Sequence, residues 1–283
     1  MSTITFKPKQ ITKKITSNLQ DRARDVIMNR FGLNIDASRK TLEEIGKKYN
    51  ITRERVRQIE DAALAQVKKS EAYKTEQAVF EELKQLMFSL GSIVAENELL
   101  DRISKDKATQ NHINFYLVLG DSFKKHREDN HFHTRWSVDE LVATKVHDSL
   151  KRLYSSLNDE DLVPETDMIK RFLDHMKDMA EEYKNEEIAK RWLSMSKSIS
   201  KNPLGEWGKT TSPNIRTRGV KDYAFLVMRR HGARMHFREV ADSITKTLGK
   251  KTHYATTHNE LSKDPRFVLV GRGLYALAEW GYK

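Results

Sequence analysis

Residues 41 to 69 constrain the fold more than any other stretch of this 283-residue chain. Thr41 and Glu44 stand at capping-box spacing, where the threonine side chain accepts from the glutamate amide and the glutamate reaches back. Behind them Leu42, Ile45, Gly46 and Tyr49 recur at i, i+3, i+4 and i+7, which predicts a helix over 42–49. Thr52 is a second N-cap, and Val56, Ile59, Ala63, Leu64 and Val67 make one apolar face of a helix over 53–69. Only Asn50 and Ile51 separate the first helix from that second cap. So short a turn forces a tight crossing, and Gly46 lets the backbones approach. The pair therefore forms a helix-turn-helix.

Charge is distributed unevenly around this motif. Residues 1–70 hold 16 Lys/Arg against 8 Asp/Glu, a net +8, and residues 197–283 hold 17 against 7, a net +10. The stretch between them is acidic, with 18 against 25, a net −7. Basic ends attract polyphosphate by releasing its counterions, so nucleic acid leads among partners. There are no cysteines, which excludes disulfides and thiolate metal sites. No apolar run approaches the roughly 20 residues that a bilayer span requires, and Met1–Lys9 lacks the apolar stretch of a secretory signal. A cytoplasmic, nucleoid location and no membrane partner are expected.

Along the chain, residues 1–14 read as a flexible basic arm. Helical segments follow over 16–30, 42–49 and 53–69. Beyond residue 70 the order helix, helix, helix, hairpin recurs three times. The helices span 76–90, 96–104 and 109–119, then 139–156, 165–179 and 186–195, then 220–230, 238–247 and 254–262. The hairpins run over 123–136, 196–209 and 266–280, turning near Glu128-Asp129-Asn130, Asn202-Pro203-Leu204-Gly205 and Gly271-Arg272-Gly273. Trp136, Trp207 and Trp280 recur at intervals of 71 and 73 residues, two of them inside Glu-Trp-Gly. This order is that of a winged helix. The fold expected is mainly α with small β-hairpins: an N-terminal helix-turn-helix (1–70) followed by tandem winged-helix units at 71–137, 138–217 and 218–283.

The run from Thr41 to Glu60, TLEEIGKKYNITRERVRQIE, closely resembles region 4 of the housekeeping class of bacterial sigma factors. Arg30-Phe31-Gly32-Leu33 and the looser stretch from Leu19 to Val26 share the resemblance, which runs from about Thr16 to Lys69. Gln20 stands where that family commonly has proline. The residues themselves agree with the resemblance. With Val56 and Ile59 turned inward, Arg53, Glu54, Arg57 and Gln58 face out near the start of the second helix, the part that enters a major groove. Arginine pairs with guanine, glutamine with adenine, and glutamate accepts from cytosine. The resemblance implies that Arg53, Glu54, Arg57 and Gln58 contact bases or nearby phosphates of promoter-like double-stranded DNA. It implies also that Thr41, Thr52 and Arg55 lie near the backbone. Bacterial RNA polymerase core is the implied protein partner, held through Val26, Ile27, Phe31 and Leu33. Only about 15 residues precede the motif, and nothing downstream resembles the promoter-melting helix of a complete sigma factor. The chain is therefore expected not to open a promoter alone.

Residues 218–283 resemble the HARE-type winged helix, found in the polymerase delta subunit, some restriction endonucleases and eukaryotic chromatin proteins. The resemblance is carried by Val220–Met228, Met235–Ala241, Thr257–Asp264 and the hairpin residues Phe267, Leu269, Leu274, Tyr275 and Leu277 about their glycine turn. Lys251, Thr252, His253, Thr256, His258 and Asn259 lie on the third helix and its approach. Their donors suit phosphates and base edges.

Other constellations point away from catalysis. His126, His131 and His133 cluster without a matching carboxylate, which fits a polar wing better than a metal site. No nucleophile–base pairing, G-x-S-x-G or phosphate loop occurs, and Glu181-Glu182 and Glu186-Glu187 fit a solvated helix. No enzyme activity, metal, cofactor or small-molecule substrate is expected. Two readings lead: a sigma-like DNA-binding transcription factor, or a delta-like accessory subunit of RNA polymerase acting mainly by protein contacts; a third, a nuclease-associated specificity module, has no catalytic carboxylate cluster to support it.

Overall fold

The computed structural model describes residues 4–282. The chain divides into two compact units, Met1–Val146 and His147–Lys283.

In the first unit, helix α1 (Pro8–Ile15) opens the chain. The expectation of a flexible arm is corrected from residue 4 onward, while residues 1–3 lie outside the described residues. Pro8 sits in the first helical turn, where its missing N–H costs nothing. Ile4, Thr12 and Ile15 are buried. Thr12 Oγ1 lies 2.8 Å from both His112 Nδ1 and Tyr116 Oη, partners a hundred residues away. Helix α2 (Asp21–Phe31) starts later than the sequence pattern suggests, because Gln20 is extended and occupies its N-cap. Helices α3 (Leu42–Tyr49) and α4 (Arg53–Lys69) have the predicted bounds.

The rest of this unit follows a second pattern. Helices α5 (Glu71–Thr75) and α6 (Gln77–Ser89) lead to strand β1 (Ile93–Ala95), helices α7 (Glu96–Ile103) and α8 (Lys107–Leu119), and the hairpin β2 (Lys124–His126) and β3 (Arg135–Ser137). The three strands are antiparallel in the order β1-β3-β2. One continuous core runs from Ile4 through Ile27, Phe31, Val67, Phe80, Met87 and Phe115 to Trp136. A smaller cluster of Val26, Ile45 and Val56 lies under the helix-turn-helix.

Helix α9 (Glu140–Ser156) comes next. The second unit goes on with α10 (Glu165–Asp174), α11 (Glu186–Ser194) and the hairpin β4 (Ile199–Lys201) and β5 (Trp207–Lys209). Val163 bridges Trp207 in place of a first strand. It closes with α12 (Val220–His231), β6 (Met235–His236), α13 (Phe237–Leu248), α14 (Tyr254–Lys263), β7 (Phe267–Gly271) and β8 (Leu274–Leu277), ordered β6-β8-β7. Phe225, Met228, Ile244, Leu261 and Tyr275 fill the core of this last group.

Register shows the repeat more sharply than tryptophan spacing does. Trp136 pairs with Val94, Trp207 with Val163 and Tyr275 with Met235. Two residues after each partner stand Glu96, Glu165 and Phe237, each the first residue of a helix. Lys125 Nζ lies 5.1 Å from the Trp136 ring centroid and pairs with Glu96, while Lys201 Nζ lies 5.0 Å from Trp207 and pairs with Glu165. In the last group the lysine position is Leu269 and the glutamate position Phe237, so rings replace the ion pair. The equivalent of the first two tryptophans is therefore Tyr275. Trp280 sits on a 3-10 turn after β8, which corrects the spacing-based repeat.

Candidate nucleic-acid interface

The α3–α4 pair is built by its caps. Thr41 Oγ1 accepts from the Glu44 amide at 3.2 Å, and the Thr41 amide donates to Glu44 Oε2 at 2.7 Å. These bonds hold the Glu44 carboxyl below its ordinary range, with the Thr41 backbone contact the largest cause. Thr52 Oγ1 accepts from the Arg55 amide at 3.2 Å. Asn50 takes the left-handed conformation, φ +53°, that ends α3. At Gly46 an added Cβ would stand 2.6 Å from the Ile51 carbonyl oxygen, so the turn needs glycine there. From below, the Asp25 carboxylate accepts from Lys48 and from Tyr49 Oη. Burial raises the Asp25 pKa, but these bonds outweigh it and leave a net lowering.

Thr41, Thr52, Arg53, Glu54, Arg55, Arg57 and Gln58 are all exposed, and the first turns of α4 bring the last five together on one surface. Arg57 grips Glu54 through Nη2 at 2.6 Å and Nε at 3.0 Å, and reaches Asp61 through Nη1 at 2.8 Å. Arg55 Nη1 donates to Gln58 Oε1 at 2.9 Å. All these groups are half in water, so the pairs order the side chains at little energetic gain. Arg53 has no ion-pair partner among the described residues. A shallow cleft of about 440 Å³ lies beside the turn, lined in part by Lys47, Asn50, Thr52 and Arg53. Lys47 and Asn50 carry no sequence signal for such a role.

Val26, Ile27, Phe31 and Leu33 are buried. Phe31 packs on Phe115 of α8 with ring centroids 5.0 Å apart. Among the four, Leu33 also borders a cleft of about 530 Å³, with Met28 beside it and Lys9, Lys13 and Arg24 among its other lining residues.

Helix α8 holds the position of the third helix in its group, the one that reads DNA in a winged helix. Here it is turned into the protein. Asn111 is fully buried. Its Nδ2 donates to the Gly32 and Ala37 carbonyls at 2.9 Å each, and its Oδ1 accepts from Arg39 Nε at 2.8 Å. Gln110 donates to Asp101 and the Ser104 carbonyl, His112 meets Thr12, and Asn114 donates to Glu96. Helix α11, in the second group, opens with Glu186 and Glu187, a start that repels phosphate.

Helix α14, unlike α8, presents an open polar face, and unlike α11 it has no acidic residue in its first turn. Lys251, His253, Thr256 and Asn259 are exposed on it or its approach. Thr252 and His258 are half-buried. The Thr252 hydroxyl lies 3.3 Å from that of Thr257, and the His258 ring stands edge-on to Phe237 and Tyr275 at 4.9 and 5.9 Å. Arg238, which lies in the Met235–Ala241 stretch without a role assigned from sequence, and Tyr254 flank this face. In the first group His126 meets Ser137 and Glu140, and no cluster able to hold a metal ion occurs among the described residues. No helix among the described residues is long and apolar enough to cross a membrane.

Both ends are thus helix-turn-helix domains of transcription-related families. Residues 17–69 match the family sigma-70, region 4. Residues 218–280 match the HARE-HTH family, the helix-turn-helix domain named for ASXL proteins and restriction endonucleases among others. The first segment is 50% identical over 56 residues to the RNA polymerase sigma factor RpoD of Helicobacter pylori, covering 20% of this chain and 8% of that one. It is 52% identical over 54 residues to the sigma factor SigA1 of Synechococcus elongatus, covering 19% and 13%. To the sigma factor RpoD of Neisseria gonorrhoeae it is 41% identical over 59 residues, covering 21% and 9%. The chain thus spans about a tenth of the length of these curated relatives. No solved structure matches it.

Proposed function

We propose that this chain is a DNA-binding transcription factor that recognises promoter-type duplexes through α4 and associates with RNA polymerase. The observation that carries the reading is the exposed first turns of α4, where Arg53, Glu54, Arg57 and Gln58 stand ordered on a sigma-like frame. Arg57 and Gln58 read bases, and Thr41, Thr52 and Arg55 hold the backbone. Taken as four modules at 1–70, 71–137, 138–217 and 218–283, the chain has two outer readers and two inner units with other tasks. The inner third helices are buried or acidic, whereas α14 is open and basic at its approach. Two modest contacts on one chain reinforce each other through effective concentration.

The polymerase contact is assigned to the cleft beside Leu33, because Val26, Ile27 and Phe31 lie inside the core. The same cleft supports the second reading, an accessory subunit acting by protein contacts: its walls include apolar Met28 and Leu33, and lysines stand around it. Fluorescence anisotropy separates the two. A duplex bearing a consensus minus-thirty-five element is compared with a scrambled one, using the full chain and its Arg57→Ala/Gln58→Ala variant. The wild type prefers the consensus duplex, and the variant loses about 1–3 kcal/mol of that preference per base contact. Equal binding of both duplexes by the wild type would leave the accessory-subunit reading in place.

A further inference from the structure

We propose that Arg238 and Tyr254 form a clamp for a DNA backbone phosphate at the leading edge of the C-terminal winged helix. The proposal rests on the reading of this unit as the second DNA contact, and it names the groups that hold the backbone there.

Arg238 is the second residue of α13 and is exposed. Its Cζ lies 5.8 Å from the ring centroids of both Phe237 and Tyr254. Among the described residues, no carboxylate stands within ion-pair distance of it. Arg266 in the same unit is different, since Asp222 and Asp264 both bind its guanidinium. Ring contacts order Arg238 while leaving its donors and its charge uncommitted, which suits a phosphate whose two non-bridging oxygens accept a pair of parallel N–H bonds.

Tyr254 opens α14 and is 47% exposed, one of few large rings at the surface. Its Oη donates to Asp242 Oδ1 on α13 at 3.0 Å, which fixes the ring against that helix and engages that carboxylate. The segment joining α13 to α14 carries Lys250, Lys251 and His253, all exposed. The start of α13 is itself closed by a capping box, with the Arg238 amide donating to His236 Nδ1 at 3.4 Å and the His236 amide to Glu239 Oε2 at 2.9 Å, so a ligand here is left to the side chains. In a winged helix, backbone contacts of this kind fix the register of the third helix in the groove. Duplex DNA is favoured over a phosphopeptide because the exposed polar face continues from the basic approach along α14, through Thr256 and Asn259, rather than ending at one pocket.

The test uses the full chain carrying Arg57→Ala/Gln58→Ala, which removes the base contacts assigned to α4, and a random-sequence duplex titrated with salt. Arg238→Ala weakens binding roughly tenfold and flattens the slope of log K against log salt by about 0.9, the increment for one phosphate no longer neutralised. Arg238→Lys restores the slope but not the full affinity, because a lysine is not held by the rings in the same way. Tyr254→Phe stays close to the parent, and Tyr254→Ala falls between the parent and Arg238→Ala. Unchanged slope and affinity in Arg238→Ala overturn the clamp and leave promoter reading by α4 untouched. Loss of all duplex binding in the Arg57→Ala/Gln58→Ala parent, when the unmutated chain binds, overturns the second contact itself. Stronger binding of the parent to a phosphopeptide than to the duplex overturns the ligand assigned.

Discussion

Two side chains of α8 decide how the N-terminal unit holds together. Asn111 satisfies two backbone carbonyls and one guanidinium, with no exposure to water. Asn111→Leu leaves those carbonyls without a donor and lowers unfolding free energy by about 1–3 kcal/mol per orphaned partner, read by urea denaturation. His112 is set against α1 through Thr12. Burial pushes its pKa below the ordinary histidine range, Lys9 adds to that shift, and Asp106 opposes it. Because the folded pKa is below the unfolded one, the neutral ring favours folding above the unfolded value, about 6.5. That contribution is lost as pH falls through this value toward the folded one. Amide exchange of α1 is therefore faster at pH 5.5 than at pH 7.5 relative to the intrinsic rate, and His112→Gln removes the difference. An unchanged exchange ratio in the wild type would mean that His112 does not hold α1.

Among elements, the helix-turn-helix depends on a backbone approach that only glycine permits. Gly46→Val sets carbon atoms against the Ile51 carbonyl, an overpacking that costs roughly 1–3 kcal/mol. Thermal melts will show the loss, with DNA affinity falling as the α3–α4 crossing opens. The elements legible in the sequence are those whose ends carry their own chemistry. Thr41 with Glu44, Asn50 in the left-handed region and Thr52 mark α3 and α4 to the residue. Helix α1 is not legible because Pro8 and its lysines look like a linker, whereas its cover comes from Tyr116 and His112 far along the chain. The strands β1 and β6 escape notice for a similar reason: each is short and is defined by its partner. Of the candidate site, the outward residues of α4 follow from periodicity. Burial of Val26, Ile27, Phe31 and Leu33 does not, since α8, which packs over Phe31, lies some eighty residues away.

At the scale of the molecule, the sigma-like segment has only the small cluster of Val26, Ile45 and Val56 to itself and shares the rest of its core. Ile15, Leu19, Ile27, Phe31 and Leu33 belong to one apolar interior with Phe80, Phe115 and Tyr116. A fragment ending at residue 70 exposes that surface, and it is expected to show broad, poorly dispersed amide resonances. A fragment of residues 1–146 is expected to give a dispersed spectrum and a cooperative melt. A well-dispersed spectrum from the shorter piece would contradict this account. The inward turn of α8 also changes which substitutions descendants of this chain can keep. Asn111 and the loop from Gly32 to Arg39 answer only to each other, so across related chains they should change together or not at all. The outward positions of α4 answer to an external script, and they are free to drift with whatever sequence they meet.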